Sequence, residues 1–232
     1  MGVPSAAGAP SDPAPLPAAA VRAGQAVYRP LVLAVYDALV LGASNRLAWR
    51  CPTPHLLAHY DAHVAATHLD VGAGSGYFLD RCRFPGPAPA LTLLDLNPDA
   101  LRWAARRVRR YRPRLLLADV LRPIGLAAAG FDSIGLNYVL HCLPGGFPAK
   151  GRALGHLRPL LRDGGVLFGS TILGRGAPPN ALAQRLLALY NRRGIFSNLE
   201  DDLAGLEQAL AARFGAVQVR TIGGVALFAA RL

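Results

Sequence analysis

The chain predicts an α/β fold built on a mostly parallel sheet, and three observations carry that prediction. An apolar run, Thr67 to Val71, passes through Gly72, Gly74 and Gly76 into a stretch of helical character, Tyr77 to Arg83. Two further apolar runs, Leu91 to Asp95 and Leu115 to Asp119, each end in an acid, and a fourth, Phe131 to Asn137, ends in an amide. Near the C-terminus, Ala216 to Ile222 and Val225 to Arg231 alternate around Gly223-Gly224, as the arms of a hairpin do. Short apolar runs separated by helical stretches make βα units, and βα units make parallel sheets.

At 232 residues and 52% apolar content, the chain suits one domain with a sizeable core. Met1 to Ala20 is rich in Ala and Pro and lacks both a basic start and a continuous apolar core, so residues 1–24 read as a disordered leader and not a signal peptide. A helical apolar pattern runs from about Ala26 to Leu47. Its longest run, Leu31 to Leu41, is eleven residues and is interrupted by Asp37, too short to span a membrane. The next helix, Pro54 to Ala66, sets His55, His59 and His63 at successive i+4 positions. Three turns spread them over about 12 Å of helix axis. The full set cannot close around one ion, and no metal is expected.

The glycine turn is the candidate ligand site. Glycine permits positive φ and close backbone approach, and a helix that follows offers unpaired N–H groups. A dinucleotide fingerprint needs a third glycine where Tyr77 stands, which disfavours NAD. Asp70, directly before the turn, would repel a pyrophosphate but suits a ligand carrying positive charge. Asp95, 23 residues after Gly72, is placed to accept hydrogen bonds from two ribose hydroxyls.

Between the second and third strands, Pro98 to Arg114 carries seven arginines opposite Leu101, Ala104 or Ala105, Val108 and Tyr111. That is the pattern of an amphipathic helix with a solvated basic face. The formal charge is +11, yet Lys150 is the one lysine among 25 basic residues, a bias that coding composition explains, and no nucleic-acid partner is expected. Cys51, Cys82 and Cys142 form neither a paired framework nor a zinc spacing, which points to a reducing cytoplasm. Asp163-Gly164-Gly165 reads as a turn before a fifth strand, Val166 to Leu173. A helix and loop over Pro178 to Phe196, then a helix near Leu199 to Phe214, precede the hairpin.

Taken together, Asp70-Val-Gly-Ala-Gly-Ser-Gly76, Asp95-Leu-Asn97, Ala118-Asp119-Val120, Asn137-Tyr-Val-Leu-His-Cys-Leu-Pro144 and Arg158-Pro-Leu-Leu-Arg-Asp-Gly-Gly165 stand in family order and spacing. From about Thr67 to Gly174 the chain resembles the class I S-adenosylmethionine-dependent methyltransferases of the small-molecule branch. The resemblance implies a doubly wound, seven-stranded, mostly parallel Rossmann-like sheet with an antiparallel last strand and N-terminal lid helices. It implies three segments: the leader, residues 25–66 as a cover over cofactor and substrate, and residues 67–232 as the core, with a helical insertion near 176–198.

It also implies site residues. Asp70, Gly72, Gly74 and Gly76 would surround the methionine part of S-adenosylmethionine, Asp95 the ribose, Leu96 and Asp119 the adenine, and Asn137 would border the methyl group. Tyr28, Tyr36, Trp49 and Arg50 before the first strand, and Tyr190 and Phe196 after the fifth, are candidates to line a substrate pocket, with ordinary packing the competing role. The sulfonium methyl is already electrophilic, so the protein mainly aligns the nucleophile and excludes water. His141 is the candidate general base, with packing or capping as its alternative. The expected partner is a small, moderately apolar metabolite offering oxygen or nitrogen, with a natural-product intermediate one candidate; methylation of RNA or protein, and cofactor binding without transfer, are the alternatives.

Overall fold

The computed structural model describes residues 37–176 and 180–232. Seven strands form one sheet: β1 (Thr67–Val71), β2 (Ala90–Asp95), β3 (Arg114–Leu117), β4 (Phe131–Asn137), β5 (Leu161–Ile172), β6 (Ala216–Ile222) and β7 (Val225–Arg231). Their order across the sheet is β3-β2-β1-β4-β5-β7-β6. The first five are mutually parallel, whereas β7 runs antiparallel to both β5 and β6. This is the doubly wound arrangement expected, with the antiparallel strand inserted next to the edge.

The predicted helices appear in order but are shorter, and a further one, over Phe147–Leu157, has no counterpart in the prediction. They are α1 (Thr53–Asp61), α2 (Tyr77–Arg81), α3 (Pro98–Arg107), α4 (Phe147–Leu157), α5 (Ala181–Arg192) and α6 (Leu203–Ala211), preceded by a wide-turned helix over Asp37–Ser44 that runs into Asn45–Leu47. The basic helix stops at Arg107, where Val108 leaves helical geometry at φ −102° and ψ 22°, and one tight turn, Arg109–Tyr111, then ends at Arg112 with a left-handed φ of 48°. Leu101, Ala104 and Val108 on its apolar stripe are buried, while Arg107 and Arg110 ion-pair with Asp80 of α2.

Two strand boundaries differ from the prediction by more than one residue. β3 ends at Leu117, leaving Ala118 and Asp119 in the loop. β5 begins at Leu161 and not at Val166, because the predicted turn Asp163-Gly164-Gly165 is absorbed into the ladder as an irregularity opposite Phe131 to Ser133. Gly164, at φ 74°, makes that possible. Among the described residues no helix is long and apolar enough to cross a membrane.

The core lies on both sheet faces. On one, Leu136, Leu167 and Phe228 meet Leu154, Leu157, Leu206 and Leu210 of α4 and α6. On the other, Leu93 and Phe168 meet Tyr60, Leu79, Leu101 and Ala104 of α1 to α3. Parallel strands covered on both faces have to be apolar throughout, which is why their runs stand out in the sequence.

Candidate active site

The strand order reverses between β1 and β4, and ligands of open α/β sheets bind at the C-terminal strand ends beside such a reversal. A cleft opens there, lined by Leu41, Asp70, residues 72–79, Asn137 and Tyr138.

Its floor is the glycine turn. Gly72, Gly74 and Gly76 have φ of 68°, 52° and 72°, where L side chains are strained. A Cβ on Gly72 would meet Val139 Cγ2 at 2.6 Å, and one on Gly76 would meet Ala104 Cα at 3.1 Å. On Gly74 nothing among the described residues lies nearer than Gly72 O at 3.8 Å. The outer glycines therefore let the turn press against the loop after β4 and against α3, while the middle one keeps an open face. Since α2 is only five residues long, the cleft rests on the turn more than on a long helix's dipole.

Three side chains bring polar groups to this region. Asp70 is buried, and its Oδ2 accepts the Tyr60 hydroxyl at 2.5 Å. Asp95 Oδ1 accepts the Asn97 N–H at 2.9 Å, but Oδ2 has only a long contact from Gly74 N at 3.5 Å. Burial raises the Asp95 carboxyl above the usual carboxylate range, opposed by the main-chain N–H groups of Asn97, Gly74 and Leu96. Asn137 Oδ1 accepts the Ser170 hydroxyl at 3.2 Å, while its Nδ2 is buried with no hydrogen-bond partner among the described residues. An orphan buried donor costs about 1–3 kcal/mol and calls for an acceptor. The set suits a ligand that carries positive charge, vicinal hydroxyls and a hydrogen-bond acceptor.

The remaining expected cofactor residues sit further out. Leu96 is 37% exposed at the mouth of the Asp95 loop. Asp119 lies just past β3, where its Oδ1 accepts the Leu121 N–H at 2.9 Å and caps its own turn. The Ala118 N–H to Asp95 carbonyl bond, 3.1 Å, ties that turn to the Asp95 loop. Neither of these residues lines the cleft, and Asp95 lies beside its lining and not within it.

An aromatic layer adjoins the cleft. Trp49, Tyr138, Tyr190, Phe196 and Phe78 belong to one apolar cluster with Leu186 and Leu187 of α5. Trp49 is only 3% exposed and packs 6.3 Å from the Phe196 ring, which lies 4.9 Å from Tyr190. Arg50 is exposed at a left-handed φ of 51°, and its carbonyl faces Gly223 of the β6–β7 turn. Tyr28 and Tyr36 lie outside the described residues. Of the histidine row, His59 lies in α1 with its Nε2 turned to the Phe228 carbonyl at 3.0 Å, while His63 falls just past the helix end, its ring tilted 45° to that of His59 at 4.6 Å.

His141 follows β4 as predicted, but its ring is enclosed. Its Nδ1 accepts the Ile172 N–H at 3.3 Å, and Phe196 packs edge-on at 4.5 Å. Burial, with help from the Lys150 charge, drives its pKa down to about 3, so the imidazole is neutral and weakly basic. Lys150 is itself fully buried, donating to the Ser197 carbonyl at 2.7 Å and to the Asp201 carboxylate. Burial pushes Lys150 down and Asp201 up, and their mutual attraction opposes both. This pair pins the chain returning from α5.

Sequence reasoning missed Tyr138 and the exposed edge of Tyr77 and Phe78 as cleft lining. Tyr138 immediately follows Asn137, a usable signal, but its φ of 58° and its hydroxyl bond to Asn45 Oδ1 at 2.8 Å are tertiary features.

Residues 69–167 match a family described as a methyltransferase domain. Over 207 residues, 89% of this chain and 90% of the relative, the chain is 39% identical to demethylluteothin O-methyltransferase of Streptomyces thioluteus. It is 41% identical over 209 residues, 89% of this chain and 94% of the relative, to a physcion biosynthesis cluster O-methyltransferase of Aspergillus chevalieri. Among solved structures, one described as a DhpI complex with S-adenosylhomocysteine aligns at TM-score 0.66 and 16% identity, covering 92% of this chain and 97% of that one.

Proposed function

We propose that this chain, which belongs to the class I S-adenosylmethionine-dependent methyltransferases, methylates a hydroxyl oxygen of a small, moderately apolar metabolite that is itself acidic, a phenol or an enol. The observation that carries the acceptor class is the aromatic layer of Trp49, Tyr138, Tyr190 and Phe196 beside the cleft, with a neutral imidazole behind it. An apolar wall favours an apolar acceptor, and an acidic hydroxyl reaches the nucleophilic oxyanion without a strong protein base. The names of the two relatives, O-methyltransferases tied to luteothin and physcion, support oxygen as the accepting atom and a natural-product intermediate as the acceptor.

The cofactor fits the residues present. The orphan Asn137 Nδ2 offers a donor, Asp95 Oδ2 has spare acceptor capacity, and Gly74 leaves an open face. When bound, S-adenosylmethionine supplies an electrophilic methyl carbon. In this reading Asp70 and the glycine turn hold the methionine part, Asp95 the ribose, and Leu96 and Asp119 flank the adenine. Asn137 and Tyr138 border the methyl group.

The protein's own contribution is orientation and exclusion of water. The described parts of the segment before β1 and of the insertion after β5 cover the acceptor, with Trp49, Tyr190 and Phe196 forming the wall and His141 bracing Phe196 from behind. The three free cysteines, whose thiols burial pushes up to about 11 to 12, support a reducing, cytoplasmic setting.

The test is S-adenosylhomocysteine release, with product mass, on a panel of phenols, enols, aliphatic alcohols, amines, RNA and protein. Turnover of phenols or enols, rising with pH up to the acceptor's own pKa, is expected. Methylation of amines, RNA or protein with phenols and enols untouched would overturn the acceptor class.

A further inference from the structure

Behind the glycine turn lies a run of buried polar side chains that the methyl-transfer chemistry does not itself use. Tyr60 of α1 and Ser133 of β4 are fully buried, as is His68 of β1, two residues before Asp70. Ser133 Oγ accepts the Ala65 N–H at 2.8 Å and meets His68 Nδ1 at 2.8 Å. His68 Nε2 meets Tyr60 Oη at 2.8 Å, and Tyr60 Oη reaches Asp70 Oδ2 at 2.5 Å.

Counting donors fixes the direction. The Ala65 N–H can only donate, so Ser133 Oγ is an acceptor there and its own proton has one partner, His68 Nδ1. That nitrogen must then be bare, and the His68 proton sits on Nε2 and points at Tyr60 Oη. The tyrosine proton is left for Asp70. Burial, and then the Asp70 charge, push the phenol pKa well above 10, so that proton stays in place. Four hydrogen bonds run one way, from the Ala65 amide to the carboxylate at the cleft, with every donor hydrogen in the run used.

The surroundings are shaped for this chain. The Tyr60 ring stacks on Phe78 at 5.7 Å and 5°, while His68 lies 5.8 Å from Phe168. Gly135 of β4 supplies the space: a Cβ there would come within 3.2 Å of His68 Cε1 and 3.4 Å of Asp70 Oδ2. Direct contact between His68 Nε2 and Asp70 Oδ2 is 3.6 Å, so Tyr60 is the link between them.

We infer that Tyr60, His68 and Ser133 are positioning residues: their one-way relay holds one Asp70 oxygen so that the other faces the cofactor, and thereby sets the affinity for S-adenosylmethionine. This rests on the placement of Asp70 at the cofactor proposed above. A polarised chain strengthens each member, so cutting it at either end weakens the same final contact.

The experiment is calorimetry of S-adenosylmethionine with the full-length protein and with Tyr60→Phe, Ser133→Ala, their double variant and Asp70→Asn. Imidazole ¹⁵N NMR on His68 and thermal unfolding accompany it. Tyr60→Phe should weaken binding about tenfold and Ser133→Ala a fewfold, with the double variant no weaker than Tyr60→Phe, because both cut one chain. The NMR should show the Nε2–H tautomer in the parent and a tautomer mixture in Ser133→Ala. Unchanged affinity in both Tyr60→Phe and Ser133→Ala, with only a lower Tm, would overturn the relay while leaving Asp70 at the cofactor. Unchanged affinity in Asp70→Asn would remove Asp70 from the cofactor and the relay with it. If Tyr60→Phe fails to fold, Ser133→Ala with its tautomer signature decides alone.

Discussion

Gly72 and Gly74 share a left-handed backbone, yet substitution by alanine should separate stability from binding. At either position alanine takes on the left-handed strain, about 1–2 kcal/mol. At Gly72 the new methyl also lies 2.6 Å from Val139 Cγ2, a β-branched side chain with little rotameric freedom. Overpacking of that kind adds about 1–3 kcal/mol. Gly72→Ala should therefore cost about 2–5 kcal/mol in total. For a chain of this size that lowers Tm by roughly 4–20 °C. Gly74→Ala has no such collision and should lose only about 2–8 °C. Its methyl, however, enters the open face of the cleft, so S-adenosylmethionine binding should fall by about tenfold or more, equivalent to roughly 1.4 kcal/mol of crowding. Thermal unfolding with and without cofactor, and calorimetry well below Tm, measure both quantities. Unchanged affinity in Gly74→Ala would refute the assignment of that open face to the cofactor.

Further outcomes follow from the buried ionisable groups. Asp95 has a raised carboxyl pKa, so the folded apo protein is favoured by its protonated form and loses that contribution as pH rises. Asp95→Asn should raise the apo Tm at pH 7, converge with the parent in acid, and bind cofactor at least about tenfold more weakly; a lower Tm at pH 7 would contradict the burial argument. His141 has the opposite sign: its depressed pKa of about 3 contributes stability above pH 6.5 that is lost as pH falls toward 3. The loss is up to about 5 kcal/mol. His141→Gln should flatten that acid slope in chemical denaturation, and an unchanged slope would show that the imidazole is solvated. Lys150→Met should cost about 3–5 kcal/mol by stranding Asp201, and Lys150→Met with Asp201→Leu should recover most of it. Additive losses in the double variant would mean the pair is not coupled.

The strands and the glycine turn were legible because their causes are local. β1 and β4 fall on the predicted residues since a parallel strand buried on both faces has to be an apolar run, and such runs here are bounded by turns and acids. The start of β5 was not legible: Asp163-Gly164-Gly165 is a turn by composition, and only the pairing partner Phe131 makes it an irregularity within the ladder. Asp95 and Asn137 could be chosen from their places at strand ends. The orphan state of Asn137 Nδ2 could not, nor the enclosure of His141 by Phe196, because both depend on residues brought in from β5 and the segment after α5. Likewise, His68 read as an ordinary strand residue until Tyr60 and Ser133, eight residues before it and 65 after it, closed around its ring.

The seat of Trp49 and Arg50 on the final hairpin imposes an order on biosynthesis. The Gly224 N–H donates to the Trp49 carbonyl at 2.8 Å, and Gly223 has no side chain where both carbonyls come to rest. At about 5–20 residues per second, the ribosome delivers that hairpin roughly 10–35 s after Trp49 itself. Through this interval the early segment has no landing place, and β7, which must slot between β5 and β6, is still missing from the sheet. The seat of Trp49 therefore cannot form until Gly224 has been added, so a nascent chain stalled before Gly223 would carry the whole glycine turn and still lack the dock for Trp49 and Arg50.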